Sequence, residues 1–509
     1  MSFSRKETLK KYSSIIGAHF VMAPFSFVWV YGNLSAYMDS YFRFSCAPGC
    51  MDGESQWILG IVNIMICPGI LITKYLSDKM GLYWTGAASA VVLNASLFGC
   101  ALVVRYSVAW TTVLLGAVMG LVQGITSVVV FQNVGAWAPD KATIFIASTT
   151  VAPTVLSMVQ NQIITAVVNP DNLKPDAMQG PRTFFSQPSL LSRVPTAIII
   201  YAATILASQI IGYILLTPPP KPSYLTETLN VKVSPDRREP CSDDARPSDT
   251  SPLKSLQNSK TQANEQSSEN HGSYCTLNSS TSHGLIESNG FNSTVDINME
   301  KMTNPPPTES KSLTPSQALK TPCFYAVFMF VTATVYALIL QANCYKEFAL
   351  LYIHNDKYLT LVGTLIPFVA SSSRLCIGTV LNKRLITIKD AIVISLSINS
   401  AFCAIWYLVP QVSAVLYMFL ILCLAMVQSQ YYVVIPVACL EIFGPAHFSI
   451  NYGLMLSGLI LAGILGAVII SPLIHAFGWF WLFESASILC LVTLLLVVFT
   501  DFNVQQSAL

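Results

Sequence analysis

Apolar runs of about twenty residues recur along the whole chain, and this repetition limits what it can fold into more than any single residue does. A run of that length spans the hydrocarbon core of a bilayer as a helix, with every backbone polar group bonded inside the segment. Twelve such runs can be read: 13–38, 56–76, 84–104, 107–133, 143–168, 196–216, 323–344, 358–381, 390–409, 413–436, 448–474 and 478–499. Only 11% of the 509 residues are charged, against roughly 25% in soluble domains. The expected class is therefore an all-α membrane protein. A net charge of +2 gives no basis for nucleic-acid binding. The first run is too long for the apolar core of a cleaved leader, and the basic, polar start "MSFSRKETLKKYSS" reads as an ordinary N-terminus.

An even number of spans puts both termini on one side. Arg5, Lys6, Lys10, Lys11, Lys74, Lys79, Lys141, Lys383, Arg384 and Lys389 fall in short loops on that side. Arg43, Arg105, Lys174, Arg182, Arg193, Lys346 and Lys357 fall on the other. The excess favours cytoplasmic termini in an integral multi-pass protein, with the plasma membrane as the expected location. Residues 217–320 break the apolar pattern. "TPPPKPSYL" opens the segment, "NPPPTESKSLTPSQ" closes it, and its interior is too polar to build a core. The expected organisation is a cytoplasmic N-terminus (1–12), a six-helix half (13–216), a disordered cytoplasmic linker (217–320), a second six-helix half (321–499) and a cytoplasmic tail (500–509).

The halves echo each other. "LSDKMG" at 76–81 corresponds to "LNKRLI" at 381–386, and "WAPDK" at 137–141 to "FGPAH" at 443–447. Two landmarks at nearly one offset suggest duplicated six-helix units, a common build of secondary transporters. Gly116, Gly120 and Gly124, like Gly458, Ala462 and Gly466, recur every four residues and allow close helix packing. Most of the thirteen cysteines sit inside spans; Cys46 and Cys50 could form a disulfide or be unrelated thiols. Sequons at Asn33 and Asn94 lie in spans and those at Asn278 and Asn292 on the terminal side, so none is expected to be glycosylated.

Apart from Lys74 and Asp390 at span ends, Arg374 and Glu484 are the only Asp, Glu, Lys or Arg residues within these spans. A charge at membrane depth costs at least about 2.5–3.5 kcal/mol and normally marks a pathway or a partner. Arg374 follows three serines in "FVASSSRLCIG", which argues for a polar cavity, and its planar fork suits a carboxylate. Its counterpart in the first half, "CPGIL" at 67–71, carries no charge, so the repeat itself did not require it. Glu484 is a candidate proton-coupling group, His19 reads as a satisfied structural histidine, and Lys346–Glu347 reads as a solvated or gating pair. Tyr31 with Ser35, Gln123 with Ser127, and Gln428 with Tyr432 each share a helix face and could line a small polar cavity.

With these residues in view, the chain resembles the major facilitator superfamily. "SDKMG" is similar to a reduced form of its loop motif, with Asp78, Lys79 and Gly81 kept as gating residues but Lys74 where the leading glycine belongs. "YGNLSAY", "NPDNLKPD", "SRLCIG" and "FGPAHFSINYGL" resemble the oxalate:formate antiporter and monocarboxylate porter group. That resemblance implies a substrate-binding arginine at Arg374 and a tyrosine at Tyr432, with Tyr31, Ser35, Gln123 and Gln428 as further lining residues. Two departures stand out. The lysine of oxalate antiporters falls on Leu459, and the aspartate of proton-coupled porters falls on Ala370. The expectation is a non-enzymatic carrier of a small monocarboxylate, working by alternating access as a monomeric unit in the lipid bilayer; the alternatives are a carrier of another organic anion or an amino acid on the same fold, or a non-transporting anion sensor that signals through the central linker. No cofactor, metal or nucleic acid is expected. Exchange or facilitated diffusion is expected rather than proton-driven uptake, with Glu484 as the only intramembrane carboxylate able to contradict this.

Overall fold

The computed structural model describes residues 5–47, 54–138, 142–218, 312–444 and 447–502. Outside them lie the linker residues 219–311 with the Asn278 and Asn292 sequons, Cys50, Pro139, Lys141, Pro445 and the tail from 503. Eleven continuous helical stretches among the described residues are long and apolar enough to cross a membrane. The last of them, Ile450–Phe499, holds two helices, because the chain turns at Gly478 (φ 80°, ψ −178°). The fold is thus the expected all-α membrane architecture, with twelve long apolar helices among the described residues.

In the first half, α1 runs from Arg5–Val21 through a short 3₁₀ turn, Ala23–Ser26, into Phe27–Phe44. It is followed by α2 (Trp57–Met80), α3 (Leu82–Val103), α4 (Val108–Trp137), α5 (Ala142–Val168) and α6 (Val194–Leu215). In the second half come α7 (Pro322–Ala349), α8 (Asp356–Asn382), α9 (Ile388–Ile405) and α10 (Ala414–Phe443). Helix α11 begins at Phe448–Leu456 and continues from Gly458 to the turn at Gly478, beyond which residues 479–499 form α12. Between α5 and α6 a small antiparallel hairpin pairs β1 (Ala177–Gln179) with β2 (Arg182–Phe184), Gln179 opposite Arg182.

Local sequence explains several boundaries. Asn355 caps α8 by accepting from the Tyr358 amide, and Thr387 with Asp390 forms a capping box on α9. Gly81 ends α2 at φ 84°, a conformation that disfavours any side chain. The end of the predicted linker is ordered. Thr314 caps a short helix, Pro315–Ala318, and the Leu313 amide donates to the Phe443 carbonyl, so residues 312–320 pack on the second half. Cys46 is disulfide-bonded.

The glycine rows pack as expected. Gly120 and Gly124 of α4 press on the backbone of α2, where a Cβ would strike the carbonyls of Val62 and Ile66. The same device joins the two halves. A Cβ on Gly60 of α2 would lie 2.7 Å from the Gly463 carbonyl oxygen of α11. The halves meet along α1–α7, α2–α11 and α5–α8. We therefore expect Gly60→Leu to fold but to hold these helix ends apart. Amide hydrogen exchange should rise several-fold at 33–40 and 346–360 and stay unchanged in α9.

Candidate functional site

Two arginines define the polar interior, and they stand in opposite electrostatic situations. The first is Arg182, on β2 at the face opposite the termini, called here the distal face. Only 3% of its side chain is exposed, yet all three donor positions are taken. Nη2 lies 2.6 Å from Asp39 of α1, Nη1 lies 3.0 Å from Glu54 just before α2, and Nε donates to Glu347 of α7. Burial alone would lower the proton affinity of this guanidinium, but the three carboxylates raise it further still. Burial pushes the Glu54 carboxyl up; Arg182, a hydrogen bond from Ser471 and His475 outweigh that and leave it below the ordinary carboxylate range. His475 Nε2 stands 2.6 Å from Glu54 Oε1.

Beside this cluster a second ion pair, within the second half, is bonded to the first half. Lys346, fully buried, lies 2.7 Å from Asp356 Oδ1 and donates to Asn33 Oδ1 and, at 3.0 Å, to the Tyr37 hydroxyl. Tyr37 donates to Asp356 Oδ2, and Asn169 donates to the same oxygen at 2.9 Å. A ladder of short polar contacts then descends between α5 and α8. Thr165 meets Thr360 at 2.7 Å, Gln162 meets Thr364 at 2.8 Å, and Ser371 donates to Thr154 at 3.0 Å. Lys346–Glu347 is therefore neither solvated nor peripheral, and Arg182 is no ordinary loop charge. The statement that Arg374 and Glu484 are the only charges in the spans is also corrected, since α1, α7 and α8 carry Asp39, Lys346, Glu347 and Asp356 within their ends.

The second arginine, Arg374, sits three residues beyond Ser371 on α8, where the ladder gives way. Its guanidinium lies 4.3 Å from the ring centre of Tyr432 on α10 and 5.8 Å from Trp29 on α1, so it touches both halves. Among the described residues it has no ion pair, and its buried Nε has no hydrogen-bond partner. Aromatic rings occupy the faces of a guanidinium, whereas its N–H donors lie in the plane. Stacking thus leaves the donor fork free.

Of the other lining candidates, only Tyr432 is brought against Arg374. Tyr31 is fully buried and donates to the Ser55 carbonyl, while Ser35 contacts the Asn343 carbonyl at 3.3 Å. Gln123 donates to the Pro24 carbonyl at 2.9 Å, and Gln428 donates to Asn399 of α9 at 3.3 Å. These are helix-to-helix bridges, the usual use of an amide or hydroxyl where water is absent. The serines before Arg374 behave likewise: Ser371 bonds across the halves, Ser373 bonds to the Met426 carbonyl, and Ser372 bonds back to Phe368. His19 is satisfied, between the Ile15 carbonyl and Ser148. Glu484 is not brought against Arg374; the adjacent Phe483 stacks on Trp406 and meets Phe348 edge-on in the second half. Asp78 and Lys79 are exposed at the terminal face, with Lys79 held over Tyr75.

No protein-family model matches this chain, and no curated protein matches it in sequence. Solved structures do match it in fold. One is a D-xylose–proton symporter, with a TM-score of 0.61 at 12% identity over 97% of this chain and 99% of that one. Another is a bacterial homolog of the human lysosomal transporter Spinster, in an inward-facing and unoccupied conformation, with a TM-score of 0.57 at 12% identity over 99% of this chain and 98% of that one. A third is the xylose transporter of E. coli in a partially occluded, inward-open conformation, with a TM-score of 0.54 at 8% identity over 95% and 98% of the two chains. At these identities the likeness is one of fold. It supports the all-α membrane-transporter fold and says nothing of the carboxylate subgroup.

Removing the hub of the distal cluster should be costly. Arg182→Gln strands Asp39 and Glu347 as buried carboxylates, an expected loss of about 3–5 kcal/mol in the distally closed state. The thermal unfolding midpoint of the purified protein should fall, with Arg182→Lys intermediate because an ammonium cannot reproduce the fork.

Proposed function

We propose that this protein is a secondary transporter that carries a small monocarboxylate across a membrane by alternating access, with Arg374 neutralising the carboxylate. One observation carries the reading: an arginine without an anionic partner, stacked on aromatic rings where the two halves meet. The other buried cations of the seam are already paired, Lys346 with Asp356 and Arg182 with Asp39, Glu54 and Glu347. Arg374 is thus the one whose charge a ligand would complete. The transporters of like fold named above include carriers of xylose, a neutral sugar. A neutral ligand would leave the guanidinium uncompensated, whereas a carboxylate matches both its charge and its geometry. Tyr432 and Trp29 supply apolar surface for the rest of a pyruvate-, lactate- or formate-like molecule.

The lipid bilayer is the medium, and one chain is the transport unit in this reading. Lys10, Lys11 and the other basic residues of the terminal face favour a cytoplasmic orientation for it, with the plasma membrane as the proposed location. Asp78, Lys79 and Gly81, on the short α2–α3 turn, are proposed to act in gating the terminal side. Arg374 is half-buried and Tyr432 exposed beyond the end of the seam, which fits a state open toward the termini.

Two measurements in proteoliposomes test this. Arg374→Gln should abolish uptake of labelled carboxylates without loss of folded protein, and Arg374→Lys should retain little of it. Near-normal flux in the glutamine variant would sink the reading. The second test is competition against labelled pyruvate. Oxalate brings a second charge for which no unpaired buried cation is available among the described residues, a penalty of several kcal/mol. Cold oxalate should therefore compete at least tenfold more weakly than cold pyruvate, since about 1.4 kcal/mol corresponds to a factor of ten.

A further inference from the structure

Two neighbouring helices of the second half are each broken on their way to the terminal face. Helix α10 is interrupted at Ser429–Gln430, where the Gln430 and Val433 amides each bond three residues back, at 3.2 and 2.9 Å. Pro436 then lacks the amide that would pair with the Tyr432 carbonyl, and the helix ends in a π turn, Cys439–Phe443. Helix α11 is interrupted at Ser457, whose carbonyl the Ile460 amide reaches at 3.0 Å. The corresponding stretches of α4 and α5 run unbroken. Residues 431–443 and 448–456 are thus joined to the rest of the second half through two weak turns. The turn in α10 is itself fixed to α8, since Ser429 donates to the Ala370 carbonyl at 2.9 Å and Ser373 to the Met426 carbonyl at 2.6 Å.

The far ends of both segments are fastened by the ordered end of the linker. Leu313 donates its amide to the Phe443 carbonyl at 2.9 Å and accepts from Asn451 Nδ2 at 3.2 Å, so one residue holds α10 and α11 together. Ser312 lies close over Gly444 (φ 79°), where a Cβ would come within 2.6 Å of the Ser312 hydroxyl and 3.0 Å of its Cα. From Leu313 onward the chain is joined stiffly to α7. Thr314 caps the helix Pro315–Ala318, which packs on the start of α11, and Ala318 is fully buried. Thr321 donates to the Ala318 carbonyl at 2.7 Å and caps α7 by accepting from the Phe324 amide. Helix α7 runs without a break for 28 residues. Two interrupted helices are therefore tied to an uninterrupted one.

We propose that residues 312–321 are a strap that holds the ends of α10 and α11 in the position open toward the termini, and that closure of the terminal side requires the strap to let go. The proposal rests on the alternating-access part of the function proposed above and is independent of the substrate. A helix rises 1.5 Å per residue, so Phe443 stands about 20 Å from the turn at Gln430. A rotation of about 10° at that turn carries Phe443 through about 3 Å, enough to break its bond to Leu313. Tyr432, only two residues past the turn, hardly moves. The segments can therefore swing across the mouth of the site while Tyr432 stays against Arg374, which it meets at 4.3 Å. A contact made in one conformation alone favours that conformation over the other. The strap thus supports, from the terminal face, the same state that Arg182 supports at the distal face.

The test is amide hydrogen exchange of the full-length protein in lipid, with carboxylate flux measured on the same vesicles. Leu313→Pro removes the amide that holds Phe443. Exchange should rise several-fold beside the strap, at 437–444, and also at 33–40 and 346–360 on the opposite face, because the population moves toward the state in which the distal seam is parted. A rise confined to 437–444 marks a local structural contact and overturns the proposal, as does no change at all. Should that variant fail to fold, inserting Gly-Ser-Gly-Ser between Leu319 and Lys320 decides the matter. The insertion leaves the bonds of Leu313 in place but frees the strap from α7, and an unmoved distal seam then overturns the proposal. If the seam responds while no carboxylate is carried, the substrate assignment falls and the strap stands. If carboxylate is carried and the seam does not respond, the strap falls and the substrate assignment stands. An unmoved seam without any flux overturns both.

Discussion

A single guanidinium holds the distal face shut. Arg182 reaches three carboxylates that belong to both halves, and it can do so only because the β1–β2 hairpin carries it into the seam. The hairpin is itself anchored across the halves, where Trp479 of α12 donates to the Pro181 carbonyl at 2.6 Å. Buried charges of this kind are weak evidence of stability, because desolvation offsets much of their Coulombic gain. Such an arrangement is satisfied only when every partner is present. It suits a contact that must form in one state of a molecule and dissolve in another.

Below the cluster the halves are joined differently. Helices in lipid gain little from hydrophobic burial against one another, so small residues and short polar side chains provide the adhesion. Gly60 against Gly463 and the Thr165–Thr360 contact are of this kind, each weak by itself. The ladder extends along α5 and α8 to Thr154 and Ser371 and stops short of Arg374. The two arginines thus divide the work of the interior. Arg182 has all three donor positions engaged, whereas Arg374 has no ion pair among the described residues and its Nε has no partner, which in the proposed reading leaves it to a ligand.

The amino-acid sequence by itself determined the class, the repeated spans, the separation of the last two between 474 and 478, and the packing role of the glycine rows. Each depends on local composition or spacing, which the bilayer reads almost directly. The distal cluster was hidden by the same reading. Charge ends an apolar run, so the expected spans stop at 38 and 344 and resume at 358, leaving Asp39, Lys346, Glu347 and Asp356 just outside. The helices in fact continue to Phe44 and Ala349 and begin at Asp356. A polar hairpin residue such as Arg182 carried no signal that it would be buried. Likewise, the shared faces of Tyr31, Ser35, Gln123 and Gln428 were legible, but not whether they met a cavity or a neighbouring helix. Only the tertiary structure decided these points, because the cost of burying a charge or an amide is set by partners hundreds of residues away. Hydropathy along the chain registers that cost and cannot register the partner that offsets it.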